Sequence, residues 1–286
     1  MAKQFEKPKM VPVPSHSIVP ERDLGKMPVL ECQHLGIDFG GLTAVNEFNI
    51  TVGPSEIAGL IGPNGAGKTT VFNLLTKVYQ PTRGTILLNG KDTHGMSTAQ
   101  VNQAGIARTF QNIRLFNNLS VEDNVKIGLH NQIRYPMWDG ILRLPKYWKQ
   151  EKLAHESALE LLSIFGMQDL AGHQAGSLPY GAQRRLEIVR ALATNPSLLL
   201  LDEPAAGMNP SETAELMENI VKIRDTFHIA IMLIEHDMSL VMGICEGICV
   251  LNFGQIIAKG TASEIQANPK VIEAYLGSHK KGGAKK

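Results

Sequence analysis

The chain contains little cysteine, and this scarcity excludes two kinds of protein. Three of its 286 residues are cysteine, namely Cys32, Cys245 and Cys249, and they lack partners at the spacing of a zinc site. Neither a disulfide framework nor a structural metal cluster is therefore expected. Since Cys245 and Cys249 fall in an apolar segment, we expect buried, reduced thiols in a cytosolic protein.

Net charge and long apolar runs are also scarce. The 28 lysines and arginines nearly balance 27 aspartates and glutamates, which leaves a formal charge of +1. This balance gives no overall attraction to nucleic acid or anionic membrane, so no nucleic-acid partner is expected. No apolar run approaches the ~20 residues that span a bilayer, and the N-terminus lacks the hydrophobic stretch of a signal peptide. A role at a membrane would therefore be that of a peripheral subunit.

Proline and lysine mark the two ends of the chain. Residues 1–28 are polar and hold five prolines, which is typical of a flexible arm. Residues 278–286 form a basic tail that we expect to be solvated, with contact to anionic lipid headgroups as the alternative. The ordered domain is expected to cover residues 29–277, and residues 111–195 within it are mainly helical in pattern.

The ordered part alternates apolar strands with helices, and its 43% hydrophobic content is enough for a sizeable core. Strands are expected at 29–35 and 46–52, around a turn at Gly40-Gly41, and at 56–61, 84–91, 198–201 and 229–234. A further hairpin is expected over 247–260. Helices are expected at 68–77, 149–165 and 211–227, with a further start at Ser120 and an irregular, aromatic-rich stretch over 132–149. This order favours an α/β fold with antiparallel strands near its start and a helical insert.

One stretch fits the phosphate-loop pattern G-x-x-x-x-G-K-[ST] at every fixed position. It reads Gly62-Pro63-Asn64-Gly65-Ala66-Gly67-Lys68-Thr69-Thr70. Its glycines permit backbone angles that bring successive N–H groups around phosphate oxygens. Lys68 supplies a compact positive charge for the β- and γ-phosphates, and the hydroxyl of Thr69 can bind Mg²⁺. Because a strand precedes the loop and a helix follows it, the sequence predicts a nucleoside triphosphate site.

Polar residues follow the two predicted strands in the second half of the chain, and a further one lies in a loop. Asp202 ends the apolar run 198–201, which places it to hold Mg²⁺, and Glu203 is placed to polarise an attacking water. The alternative is that Asp202 and Glu203 are two exposed carboxylates at a strand end with no catalytic role. His236 follows the strand 229–234 and can donate a hydrogen bond to the γ-phosphate or to the attacking water, although a lone histidine is more often structural. Gln111 could reach the metal or the water, or be an ordinary loop glutamine.

A second anion site is indicated at the start of another helix, which the pattern carries to Ala193. The stretch reads Leu178-Pro179-Tyr180-Gly181-Ala182-Gln183. A glycine in the first turn of a helix presents free N–H groups. Because the phosphate loop is already complete, this second phosphate-facing helix start suggests a nucleotide shared between two subunits, and therefore a dimer.

These elements, in this order, resemble the nucleotide-binding subunits of ABC transporters over residues 29–277. The resemblance implies an ATPase with a P-loop NTPase (RecA-like) core, an antiparallel β subdomain and a helical insert. It makes 62–70 the Walker A motif and 198–203 the Walker B motif with its catalytic glutamate, Glu203. Gln111 corresponds to the Q-loop glutamine, which joins Thr69 and Asp202 as metal ligands, and His236 to the switch histidine. Phe39 corresponds to an aromatic that stacks on adenine, with a core phenylalanine as the alternative.

The chain departs from the family at the signature motif. The common Leu-Ser-Gly-Gly-Gln is replaced by Leu178-Pro179-Tyr180-Gly181-Ala182. Pro179 removes the serine hydroxyl that usually contacts the γ-phosphate of the other subunit's ATP. Gly181 and the backbone N–H groups remain for that contact.

Finer details resemble the larger of the two paired ATPases of branched-chain amino acid importers. They are Phe39–Val45, Arg108–Phe116, Pro204–Pro210, Ala274–Gly277 and the aromatic-rich stretch 132–149. The resemblance implies ATP and Mg²⁺ as cofactors, and a second ABC ATPase and two membrane permeases as partners. A periplasmic solute-binding protein would act indirectly. The subunit would lie peripherally at the cytoplasmic face of the inner membrane. Urea or short-amide import, lipopolysaccharide export, and a soluble ABC protein acting on DNA or ribosomes are the alternatives.

Overall fold

The computed structural model describes residues 27–131 and 145–276. Nearly all of the expected arm, the basic tail, and residues 132–144 of the aromatic-rich stretch lie outside this part of the chain. The chain divides into two compact units, one made of Met1–Gly95 with Ile234–Lys286 and the other of Met96–Leu233. The domain boundaries at 28, 111, 195 and 277 stay predictions.

The first unit contains an antiparallel sheet and a second group of strands. One strand of the second group comes directly before the phosphate loop. The strands of this unit are β1 (Leu30–Phe39), β2 (Leu42–Val52), β3 (Ile57–Ile61), β4 (Arg83–Leu88), β5 (Lys91–Asp92), β9 (Gly247–Asn252) and β10 (Gln255–Gly260). The antiparallel sheet has the order β2-β1-β4-β5, and in the second group β9 runs parallel to β3 and antiparallel to β10. The helices of this unit are α1 (Lys68–Leu75), α7 (Met238–Ile244), α8 (Ala262–Ala267) and α9 (Pro269–Leu276).

The second unit surrounds short parallel strands with longer helices. Its strands are β6 (Ile106–Arg108), β7 (Leu198–Asp202) and β8 (Ala230–Ile234). They follow the order β8-β7-β6, and β6 pairs parallel to β7 with Ile106 opposite Leu198. The helices are α2 (Thr98–Ala104), α3 (Val121–Leu129), α4 (Pro145–Ser163), α5 (Tyr180–Leu192) and α6 (Pro210–Phe227), with 3-10 turns at Gln168–Leu170 and Ala175–Ser177.

The apolar runs of the sequence form the interior strands. All five residues of β3, of β7 and of β8 are buried, as expected for strands covered on both faces. The predicted hairpins are confirmed, since β1 and β2 meet at Gly40-Gly41 and β9 and β10 meet at Phe253-Gly254.

Local capping explains where two helices begin. The side chain of Ser120 accepts a hydrogen bond from the backbone of Asp123 and starts α3 where the sequence predicts it. At α6, Asn209 and Glu212 form a reciprocal capping box, and Pro210 occupies the first helical position. One expectation is wrong: residues 145–149 belong to α4 rather than to an irregular stretch, because proline is well accommodated in the first turn of a helix.

The three cysteines are free and buried, as expected. Burial raises the pKa of the Cys32 thiol far above its ordinary value and raises that of Cys249 to about 12. The thiolate is the nucleophilic form of cysteine, so these two residues are packing groups and not reactive sites.

Candidate nucleotide-binding and hydrolysis site

The phosphate loop joins β3 to α1 through backbone angles that only glycine adopts easily. Gly62 has φ 151°, and a Cβ there would stand 2.0 Å from the carbonyl oxygen of Leu251. Gly67 has φ 103° and is the N-cap of α1, so no side chain caps this helix. The start of α1 consequently has no side-chain cap, and its first N–H groups carry the partial positive charge of the helix end.

The side chain of Lys68 folds back over the phosphate loop. Its ammonium donates hydrogen bonds to the carbonyl oxygens of Gly62 at 2.7 Å and Pro63 at 3.1 Å, and the residue is buried. The loop therefore concentrates positive charge at its own mouth. Asn64 and Thr69 are exposed beside it, Thr70 is half-buried and Ala66 is buried.

The first glycine of the loop also contacts the last helix. The hydroxyl of Tyr275 on α9 forms a hydrogen bond with the backbone of Gly62. Burial raises the pKa of Tyr275 above its ordinary value, and this hydrogen bond acts in the opposite direction. The terminal motif that contains Tyr275 is thereby connected to the phosphate loop.

Two further residues of the first unit that are predicted to belong to the site have exposed side chains. Phe39 ends β1 with 42% of its surface exposed, and its ring meets Tyr79 edge-to-face with centroids 5.2 Å apart. It is therefore not a core phenylalanine, and its adenine contact stays a prediction. His236 lies just beyond β8 on the exposed surface, and its backbone N–H donates to the carboxylate of Glu235 at 2.9 Å.

Asp202 ends β7 as a buried carboxylate with a partner that sequence reasoning missed. The guanidinium of Arg108, at the end of β6, lies 2.7 Å from its Oδ2, and both side chains are more than nine-tenths buried. The backbone N–H of Asp202 also donates to the hydroxyl of Thr109. The pairing of β6 with β7 brings these neighbours together, so only knowledge of the strand order could have identified Arg108.

The side chains of Glu203 and Gln111 meet, although the two residues are far apart in the sequence. The Nε2 of Gln111 donates to Oε2 of Glu203 at 2.8 Å. Glu203 has φ 49°, in the left-handed region, which costs about 1–3 kcal/mol in a residue with a side chain. This strained backbone turns the carboxylate out of the strand that buries Asp202, so that it meets Gln111.

The signature stretch forms the start of α5. Pro179 is the N-cap and supplies no side-chain hydrogen bond, so the first N–H groups of a 13-residue helix are left without a cap. Leu178 and Ala182 are buried, Tyr180 is exposed and Gly181 is half-buried. The amide of Gln183 donates to the carbonyl of Leu178 at 2.8 Å, which holds the turn before the helix. The stretch therefore presents backbone N–H groups, and Pro179 provides no hydroxyl at the position of the usual serine.

Each of the three predicted magnesium ligands carries an oxygen donor. Thr69 offers a hydroxyl, Gln111 an amide oxygen and Asp202 a carboxylate, and Mg²⁺ prefers such hard oxygen ligands. The contact from Gln111 to Glu203 uses its nitrogen, so its oxygen stays available. The metal role of these residues stays a prediction.

Two buried charges on α5 also escaped the sequence analysis. Arg184 and Glu187 are 0% and 1% exposed, and they contact the backbone of Gln111 and its neighbours. The only sequence signal is a pair of charges three residues apart among the apolar positions of the helix. In the described ranges, none of the helices combines the length and the apolar character that crossing a membrane requires.

A phosphate loop that opens a helix, and an acidic pair at the end of a buried strand, are the features of a P-loop nucleoside triphosphatase. The family described as "ABC transporter" matches residues 45–206, and "Branched-chain amino acid ATP-binding cassette transporter" matches residues 255–281. The chain belongs to the ABC transporter family, in its branched-chain amino acid ATP-binding group. The predicted family and the P-loop fold are thereby confirmed.

Individual relatives agree with this assignment. The chain is 48% identical to the high-affinity branched-chain amino acid transport ATP-binding protein LivG of Escherichia coli (strain K12), over 87% of this chain and 98% of that protein. It is 45% identical to BraF of Pseudomonas aeruginosa over the same shares. Among solved structures, the ADP conformation of an ATP-binding cassette of an ABC transporter is 28% identical, with a TM-score of 0.77, and covers 88% of this chain and 100% of its own.

Proposed function

We propose that the chain is the ATP-binding and ATP-hydrolysing subunit of an importer of branched-chain amino acids. The observation that carries this proposal is the joint presence of a phosphate loop, a Glu203–Gln111 contact and the matched segment 255–281. The first two features serve ATP hydrolysis, and the third separates this group from other ABC ATPases.

ATP would be bound first by the loop 62–70. The uncapped N–H groups of α1 and the ammonium of Lys68 neutralise the β- and γ-phosphates. To do so, Lys68 exchanges its hydrogen bonds with the Gly62 and Pro63 carbonyls for bonds to phosphate oxygens. The exposed ring of Phe39 stacks on adenine.

Hydrolysis is assigned to Glu203 with two assisting side chains. Glu203 orients a water and takes up its proton as the water attacks the γ-phosphate, and the amide of Gln111 fixes the carboxylate for this role. His236 donates a hydrogen bond to the γ-phosphate. Thr69, Gln111 and Asp202 would hold Mg²⁺, which supplies charge neutralisation of the phosphate oxygens when bound.

The start of α5 has no role at the chain's own loop in this scheme. We therefore assign its uncapped N–H groups, with Gly181, to the ATP of a second ABC ATPase subunit. Pro179 removes the usual hydroxyl, so this contact relies on the backbone. Two such subunits close around two ATP molecules, and the difference in ATP affinity between open and closed forms drives the transport cycle.

The remaining partners follow from the importer assignment. Two membrane permeases would bind the ATPase pair at the cytoplasmic face of the inner membrane, and a periplasmic solute-binding protein would deliver the amino acid to them. The names of the relatives support amino acids over urea, short amides or lipopolysaccharide as cargo, and transport over a soluble role on DNA or ribosomes.

Uptake of radiolabelled leucine in cells that lack the chain tests the cargo. We expect leucine uptake at low external concentration to be lost, to return with the wild-type chain, and to stay lost with Glu203→Gln, since transport depends on hydrolysis. Glu215→Gln changes an exposed carboxylate that pairs with Arg185, so it should restore uptake and serves as the matched control. Unchanged leucine uptake combined with lost urea uptake would contradict the amino-acid assignment.

A further inference from the structure

The helix α5 carries a buried pair of opposite charges that the proposed mechanism does not use. Nη1 of Arg184 lies 3.0 Å from Oε2 of Glu187, and the two side chains are 0% and 1% exposed. A buried ion pair is seldom a net gain in stability, because removing two charges from water costs about as much as their attraction returns. The hydrogen bonds that the two side chains make to other residues therefore explain the pair better than its own attraction does.

The guanidinium of Arg184 donates to three backbone carbonyls outside its own helix. Nη1 reaches the carbonyl oxygen of Phe110 at 2.5 Å, and Nη2 reaches those of Gln111 at 2.7 Å and Glu203 at 3.3 Å. A single planar group therefore holds the backbones of the two residues whose side chains meet at 2.8 Å. The fixed fork of an arginine makes such a multiple contact specific in direction.

Glu187 contacts the same segment through its backbone N–H groups, whereas Arg184 contacts the carbonyl groups. Its Oε1 accepts hydrogen bonds from the backbone N–H groups of Phe110 at 3.4 Å and Arg114 at 3.2 Å. The Phe110 ring is held as well, between the guanidinium groups of Arg108 and Arg114, which lie 5.3 and 4.2 Å from its centroid. The pair thus satisfies carbonyls and N–H groups of one short stretch.

The residues held in this way lie outside regular secondary structure. β6 ends at Arg108, before Gln111, and β7 ends at Asp202, before Glu203. A strand ladder therefore does not set the position of either catalytic candidate. Both carbonyls instead accept a hydrogen bond from Arg184 of α5, and that of Glu203 also accepts one from the backbone N–H of Ala206.

We propose that Arg184 is a positioning residue for ATP hydrolysis, which holds Gln111 and Glu203 in fixed relation to α5. This inference rests on the proposed function, because it assigns the water-orienting role to Glu203. Arg184 lies three residues after Gly181, so one turn of α5 carries both Gly181, which is assigned to the second subunit's ATP, and the side chain that contacts Gln111 and Glu203. The helix start that meets a second subunit's ATP and the residues that act on this subunit's ATP are joined by one guanidinium.

The test is Arg184→Lys in the full-length chain, with kcat and nucleotide affinity measured separately. Lysine keeps the charge and the pairing with Glu187, but one ammonium cannot serve three carbonyls in the arginine geometry. We expect kcat for MgATP to fall about 10- to 100-fold, as when a supporting contact of a catalytic group is lost. The affinity for a fluorescent ATP analogue should stay within about threefold, since Lys68 and the loop 62–70 are unchanged.

Arg185→Lys is the matched control because it lies on the next position of the same helix. Arg185 pairs with Glu215, which is exposed, and contacts neither Gln111 nor Glu203 in the hydrogen bonds described above. Its kcat should therefore match that of the wild type within about twofold, as for most exposed ion pairs. Equal kcat values for Arg184→Lys and Arg185→Lys would overturn the positioning role.

A second variant keeps the inference testable if Arg184→Lys unfolds. Glu187→Gln has the same shape and retains one acceptor oxygen, and we expect a smaller loss of kcat, about 3- to 10-fold, with nucleotide affinity preserved. A fall of kcat and affinity together, in step with the melting temperature, would assign the pair a purely structural role and refute the proposal. If the wild type itself hydrolyses no ATP, the proposed function fails, whatever the variants do.

Discussion

Replacing Glu203 with glutamine is expected to lower kcat for ATP hydrolysis by about 10²- to 10⁴-fold, the range of general-base catalysis. The amide oxygen can still accept the hydrogen bond that Gln111 donates at 2.8 Å, so the local geometry is retained. What is lost is the basicity that takes up the proton of the attacking water. Steady-state phosphate release measures the effect, and ATP affinity should change by no more than about threefold.

The same variant should also change the oligomeric state. Because ATP would be bound but not hydrolysed, size-exclusion chromatography with MgATP should show an accumulated dimer that the wild type populates only briefly. Glu215→Gln, which alters an exposed carboxylate of α6, should behave as the wild type. Full ATPase activity in Glu203→Gln would remove Glu203 from the mechanism, and the catalytic base would have to be sought elsewhere.

Replacing Lys68 with methionine is expected to weaken ATP binding by about 10- to 100-fold. Methionine keeps the length and the apolar stem but removes the ammonium that is held over the loop by the Gly62 and Pro63 carbonyls. A hydrogen bond to a charged group is worth about 1.5–3 kcal/mol, which converts to this range of affinity. Equilibrium binding of a fluorescent ATP analogue measures the change, and hydrolysis should fall with it.

The control for this variant is an exposed lysine of the same unit. Lys91 lies on β5 at the surface, so Lys91→Met should leave ATP affinity unchanged. Melting temperatures of both variants separate a binding defect from a folding defect. Wild-type affinity in a folded Lys68→Met protein would contradict the assignment of the loop.

The sequence determines the strands and the loop because their signals are local. The runs that form β7 and β8 are apolar throughout, and Asp202 and His236 follow them within two residues. Capping residues fix the start of α3 and of α6 for the same reason, since Ser120 and Asn209 act within their own turn. Such features need no knowledge of the tertiary fold.

The partners of the site residues could not be predicted, because they are distant in sequence. Arg108 lies 94 residues before Asp202, and Arg184 lies 73 residues after Gln111. Only the pairing of β6 with β7 and the packing of α5 bring these groups together. A charge inside an apolar helix face is a weak signal by itself, and it gains meaning once its contacts are known.

Backbone strain is the other feature that the sequence conceals. Glu203 adopts φ 49° although glutamate has no preference for the left-handed region. The residue leaves the direction of β7 there, which separates its carboxylate from the buried one of Asp202. The two adjacent acids consequently occupy different environments, which suits their different proposed roles.

Leucine transport and phosphate release measured together test the central claim most directly. The complete complex, with its permeases and binding protein, is placed in proteoliposomes with MgATP on the side of the ATPase. We predict leucine accumulation with leucine-stimulated phosphate release in the wild type, and the loss of both with Glu203→Gln. Leucine accumulation that persists in the Glu203→Gln complex, or phosphate release that responds to urea and not to leucine, would contradict it.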